Sequence, residues 1–145
     1  MELKQFQSTV VEVYATGVTR RWLIDYPLVM ISLPDVKRET IDDWFLLCKT
    51  TIEEFEGPTL FAFHDMTQEH MAITPYSQAK AKELLTLRPE LDVYTALYLK
   101  RTLVAQFVSL FLRRVYTHQQ TQIFFDREAA MKWLFAHMKT SEISS

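Results

Sequence analysis

From Thr59 onward the chain alternates short apolar runs with longer amphipathic stretches, and few folds satisfy that alternation. Thr59–Phe63 is apolar and flanked by two predicted helices, which predicts a central parallel strand buried on both faces. Thr74-Pro75 opens a helix, with Thr as the cap and Pro in the first turn. Ala79, Leu84, Leu85 and Leu87 supply its buried side, and Arg88-Pro89 ends it. Leu91–Leu99 reads as a strand, Lys100–Tyr116 as a helix and Thr121–Phe125 as a last strand. Asp126 caps a final helix running to about Met138, with Ala130, Leu134 and Met138 inward. Strands separated by helices in this way form a mostly parallel sheet joined by right-handed crossovers.

The first half supplies a different edge. Thr9–Tyr14 and Thr19–Asp25 are β-branched runs around the turn signal Thr16-Gly17, which predicts a hairpin. Tyr26-Pro27 marks a bend between strands or an edge bulge, and Leu28–Leu33 is short and continuously apolar, as a doubly buried strand should be. Thr40-Ile-Asp-Asp43 resembles a capping box. Ile41, Trp44, Phe45, Cys48, Ile52 and Phe55 then recur at helical spacing until Gly57-Pro58. The expected fold class is therefore α/β: one mixed sheet, mostly parallel with an antiparallel N-terminal edge, flanked by about four helices. A length of 145 residues fits one domain, expected over 1–139, with a polar, Ser-rich tail over 140–145.

Composition excludes several function classes. Glycine occurs only at Gly17 and Gly57, so no loop holds the several glycines that bring backbone amides onto phosphates in dinucleotide and P-loop sites. Sixteen Lys and Arg stand against eighteen Asp and Glu, without the basic excess of a nucleic-acid binder. The basic pairs Arg20–Arg21, Lys100–Arg101 and Arg113–Arg114 read as solvated ends and edges. A single cysteine, Cys48, allows no intrachain disulfide and lies on an apolar stripe, where a thiol is buried and inert. Met1–Gln5 lacks the apolar run of a signal peptide, and no stretch has the length of a membrane span, so a cytoplasmic protein is expected. No residue pattern calls for a cofactor or a metal.

The stretch Leu103–Leu112, followed by Thr121-Gln-Ile-Phe-Phe-Asp-Arg-Glu-Ala-Ala-Met-Lys-Trp-Leu134, resembles the SpoIIAA-like (STAS-like) proteins. In them a strand ending in Phe and a small acidic cap precedes a helix reading Glu-Ala-x-x-Trp-Leu. The order of elements also matches from about Arg20 to Met138. The resemblance implies a mixed sheet with helices packed on it and a regulatory, partner-binding role. It also implies, for some members, a phosphorylated Ser or Thr at a helix N-terminus after a central strand, and for others a lipid or small-molecule ligand. The phospho-switch motif reads roughly Asp-Ser-x-Gly. Here Met71–Ser77 holds neither the Asp-Ser pair nor the Gly, and Thr74 and Ser77 are the nearest hydroxyls. Thr74 already has a structural explanation as a helix cap.

Two features compete as functional sites. The densest polar cluster is His64, Asp65, Thr67, Glu69 and His70, placed on a loop after the central strand, where α/β sheets hold ligands. Its spacing fits no zinc motif, and it lacks a nucleophile or an oxyanion hole, so no catalytic residue is assigned. His118 and His137 read as isolated surface histidines, and Glu53, Glu54 and Glu56 as an acidic helix end that a basic surface would offset. The second feature is the apolar helix over 100–116. At about 100° per residue, Leu103, Val104, Phe107, Val108, Leu110, Phe111, Leu112 and Val115 cover an arc of roughly 200°. Packing on a sheet needs an arc of about 100°. Phe107, Val108, Phe111 and Leu112 are thus expected to face a subunit partner, another protein or a small apolar molecule, with Trp133 and Phe135 of the final helix as alternative cover. The expected function is a non-enzymatic, dimeric interaction or regulatory module, with a small apolar ligand or lipid as the alternative occupant.

Overall fold

The computed structural model describes residues 11–23, 26–68, 71–72, 74–101 and 119–144. Its elements run β1 (Glu12–Val13), β2 (Thr19–Trp22), β3 (Leu28–Ser32), α1 (Arg38–Glu54), β4 (Thr59–Met66), α2 (Pro75–Leu85), β5 (Asp92–Leu99), β6 (Gln119–Phe124) and α3 (Arg127–Ser144). The six strands form one sheet in chain order. β1, β2 and β3 pair antiparallel, whereas β3, β4, β5 and β6 pair parallel. The mixed sheet and its antiparallel edge agree with the sequence. Three helices lie among the described residues; the expected helix over 100–116 falls almost wholly outside them, and with it Phe107, Val108, Phe111 and Leu112.

Side-chain alternation along the strands builds two cores. Val29, Ile31, Leu60, Ala62, Val93 and Leu97 point to the face that carries α1 and α2. Leu28, Phe61, Phe63 and Ala96 point to the other face, where Ala130, Met131, Leu134 and Met138 of α3 cover them. The sheet is covered on both sides, which is why β3, β4 and β5 read as nearly continuous apolar runs. Tyr94 joins the second core, flat on Phe61 at 5.2 Å and against Trp133 and His137 at 5.9 and 4.5 Å. His137 is thus packed among aromatic rings and is not the isolated surface residue its sequence context suggested.

The N-terminal hairpin closes as a three-residue loop. The amide of Gly17 donates to Tyr14 O, and the amide of Tyr14 donates to Val18 O, both at 2.9 Å. Gly17 has a φ of 98°, and a Cβ there would lie 3.0 Å from Pro34 Cγ, so glycine is required twice over. Thr16 Oγ1 donates to Asp43 Oδ2 at 2.6 Å and fastens this turn to α1.

The helix ends depart from the sequence expectation in two places. α1 begins at Arg38, ahead of the expected Thr40–Asp43 box, and its N-cap Lys37 has no side-chain cap. Asp35 does the work instead: its Oδ1 accepts from the Lys37 amide at 3.0 Å and from Thr40 Oγ1 at 2.6 Å. Those bonds hold the Asp35 carboxyl below the ordinary carboxylate value, the Thr40 hydroxyl contributing most. At the other end, α1 stops at Glu54 with no basic residue in its last turn. The missing cation comes from Arg88, whose Nη1 donates to Ile52 O at 3.0 Å and to Phe55 O at 2.5 Å. Arg88 adopts a φ of 45°, the left-handed conformation, to reach them. The acidic end of α1 is therefore offset within the chain.

α2 and α3 start as read. Thr74 and Ser77 form a reciprocal capping box, with Pro75 in the first turn. Asp126 Oδ2 accepts from the Ala129 amide at 3.0 Å. Of the side chains expected on the buried side of α2, Leu84 is buried and Ala79 is exposed. α3 continues past Met138 to Ser144.

Candidate functional site

α1 and α2 pack as a pair over one half of the sheet. Tyr76 of α2 donates its hydroxyl to Asp42 of α1, Arg38 lies over the Tyr76 ring at 4.4 Å, and Lys80 lies over Phe45 at 4.6 Å. These polar ties sit on the outer side of the helix pair. Beneath it the fit is incomplete, and a cavity of about 140 Å³ remains between the helices and the sheet. Its floor is Ile31 of β3, Leu60, Ala62 and His64 of β4, Val93, Thr95 and Leu97 of β5 and Thr121 of β6. Trp44, Cys48 and Ile52 of α1 and Ser77, Gln78, Ala81 and Leu84 of α2 line it from above. Small side chains create the gap: Ala62, Thr95 and Thr121 lie where the parallel strands could carry Val or Ile, and Ala81 faces them from α2. No described lining residue is charged.

His64 is the histidine of this wall, which also holds the polar side chains of Thr51, Ser77, Gln78, Thr95 and Thr121. It belongs to β4, flanked by Ile31 of β3 and Leu97 of β5, and does not stand on a loop as its sequence neighbourhood suggested. The parallel ladders continue through Ser32, Asp65 and Tyr98 and carry the strand beyond its apolar run. His64 is 8% exposed. The Trp44 indole N–H donates to its Nδ1 at 3.4 Å, with the two rings edge to face. Burial disfavours the imidazolium and pulls the pKa down to about 4. The imidazole is therefore neutral at physiological pH.

The other members of the sequence cluster do not gather around it. Strand alternation turns Asp65 to the opposite face, where Arg127 Nη1 lies 3.9 Å from Oδ2 and Thr67 donates its amide and hydroxyl to Oδ1. Glu69 and His70 lie outside the described residues, as does His118. Among the described residues no group of three or more His, Cys, Asp or Glu is placed to hold a metal. Cys48 is buried on α1, and desolvation raises its thiol pKa far above the ordinary value, so it is a neutral wall residue. Thr74 and Ser77 are the hydroxyls nearest a switch position. Thr74 Oγ1 accepts the Ser77 amide at 3.0 Å, while Ser77 Oγ accepts the Thr74 amide at 3.0 Å. Both are thus engaged in starting α2.

No family model matches the chain, and no curated protein matches it in sequence. A solved structure does match: an uncharacterised protein of the DUF3478 family with a SpoIIAA-like fold, from Shewanella loihica PV-4. The two superpose with a TM-score of 0.56 at 14% identity, over 88% of this chain and 98% of the other. The fold is SpoIIAA-like. At this identity the SpoIIAA-like match speaks for architecture and not for a ligand or partner. Among the described residues no helix is long and apolar enough to cross a membrane.

Proposed function

We propose that this chain is a non-enzymatic binding module of SpoIIAA-like fold that takes a small, neutral, apolar molecule between its sheet and the α1–α2 pair. The supporting observation is the cavity of about 140 Å³ with its predominantly apolar lining and no described charged wall residue. Apolar voids of roughly 150 Å³ stay dry and admit benzene or xenon. Close packing otherwise leaves few gaps larger than a water molecule, which makes an apolar pocket of this size the candidate site. The test is thermal unfolding with benzene or cyclopentane added in increasing amounts. Binding should raise the melting temperature progressively, by the equivalent of about 2.7 kcal/mol at a hundredfold excess over Kd. Ala62→Leu, which fills the floor, should abolish the rise while leaving the chain folded. No rise with either probe in the wild-type protein would overturn the reading.

A protein-interaction role rests on separate residues, Phe107, Val108, Phe111 and Leu112, and is supported by the width of the apolar arc over 103–115. In that reading the chain is a homodimer. Light scattering after size exclusion should then give a concentration-independent dimer, and charge substitutions at Phe107 and Phe111 should give a folded monomer. A monomeric wild type that unfolds on those substitutions would assign the residues to the core.

A further inference from the structure

We propose that the cavity's ligand carries one hydrogen-bond acceptor on an otherwise apolar body, a ketone, ester or ether oxygen, and that His64 Nε2–H is the donor that selects it. This inference rests on the cavity reading above and adds the chemistry of the molecule bound.

The assignment follows from what Trp44 can do. An indole nitrogen only donates, so the contact at 3.4 Å requires a lone pair on His64 Nδ1. A neutral imidazole that accepts at Nδ1 carries its proton on Nε2. Trp44 thus fixes both the tautomer and the orientation of the ring, as a positioning residue. Among the described residues Nε2–H has no partner. The strand neighbours of His64, Ile31 and Leu97, offer only apolar side chains, and Asp65 faces away. Nε2 is not a fully enclosed atom, the one such atom without a partner among the described residues being Arg20 Nε; it opens on the cavity that His64 lines, where the complement of a donor is a ligand or an ordered water. Here the donor belongs to a side chain more than nine-tenths buried that lines a cavity large enough for an organic molecule.

The same wall excludes other ligand classes. With no described charged lining residue, a carboxylate, phosphate or ammonium would enter without a counter-charge, at a large desolvation penalty. A pure hydrocarbon would fill the volume and leave Nε2–H unpaired. A neutral acceptor satisfies both conditions.

A matched pair of probes tests the inference apart from the cavity reading. Cyclopentanone and methylenecyclopentane have the same heavy-atom shape and differ in a carbonyl oxygen against a methylene. The ratio of their affinities should shift toward the hydrocarbon by about tenfold in His64→Leu relative to wild type, the worth of one buried hydrogen bond. In ¹⁵N-histidine-labelled wild-type protein, cyclopentanone should shift the His64 Nε2–H resonance downfield and methylenecyclopentane should not. The spectrum of the wild type decides the matter if His64→Leu fails to fold. If both probes bind while the resonance stays put and the ratio is unchanged, the acceptor assignment falls and the apolar site stands. If neither probe binds, the cavity reading itself is overturned.

Discussion

Phe63→Ala is expected to lower the free energy of unfolding by about 3–5 kcal/mol, the range for truncating a sealed core aromatic. The site makes the upper part of that range reasonable. Phe63 is 1% exposed and belongs to the core between the sheet and α3. Its ring meets Tyr98 with centroids 6.0 Å apart, and the Arg127 guanidinium lies 5.0 Å from its centroid. Collapse into the void is resisted from both sides, because β4 is hydrogen-bonded to β3 and to β5 along its length. A domain of this size has a total stability of about 5–15 kcal/mol, so the loss would be a large share of it. Urea titration should show a lower midpoint at unchanged slope. A loss below about 1 kcal/mol would mean that the α3 face is not a closed core. The substitution should leave ligand affinity unchanged, since Ala62 and His64, which line the cavity, point to the other face and distant sites contribute independently. The complementary change, Ala62→Leu, should act on the ligand and hardly on α3.

The parts of this fold that were legible in the sequence are those written in local pattern. The run Thr59–Phe63, the Thr74-Pro75 cap and Asp126 before its helix each carry their meaning within a few residues, and each stands in the structure where expected. The departures depend on distant neighbours. His64 and Asp65 look like loop residues because they are polar, yet β3 and β5 continue alongside them and pair their backbones into the sheet. Arg88 reads as the end of α2, whereas its guanidinium serves the C-terminus of α1. The Thr40–Asp43 motif has the right letters for a cap, but Asp35 is placed to take the Lys37 amide first, so Thr40 falls inside the helix and is buried.

The candidate site was the least legible part, for a reason of the same kind. A cavity is set by what four strands and two helices fail to fill together, and no single segment records that. Traces exist in hindsight: Ala62, Ala81, Thr95 and Thr121 are small for their positions, and a lone His follows an apolar strand. Their convergence required the register that pairs Ala62 with Thr95 and His64 with Leu97. The acidic and basic signs in the loop cluster pointed toward acid–base chemistry, and strand alternation divides that cluster, with His64 to the cavity and Asp65 to Arg127. What is left is a neutral, oriented imidazole in an apolar wall, a group suited to recognising one polar atom.

That imidazole should also make stability depend on pH in a definite window. Unfolding exposes His64 to water, where its pKa is about 6.5, whereas in the fold burial holds it to about 4. Between those values the unfolded chain takes up a proton that the folded chain refuses, so stability is full above pH 6.5 and declines as pH falls toward 4. A gap of this width amounts to about 3 kcal/mol. No neighbour offsets it: Trp44 donates to the ring and could not do so once Nδ1 is protonated, and the Cys48 thiol in the same wall stays neutral. Asp35 acts in the same direction but lower, since its folded value lies beneath the ordinary 3.8 and its share is lost only as its own carboxyl protonates. Urea midpoints measured from pH 7.5 to 4.5 should therefore fall steeply in the wild type, and His64→Leu should remove about 2.5 kcal/mol of that fall by flattening the profile. Equal slopes in the two proteins would show that His64 titrates as an exposed histidine does, and would withdraw the buried neutral donor on which ligand selection depends.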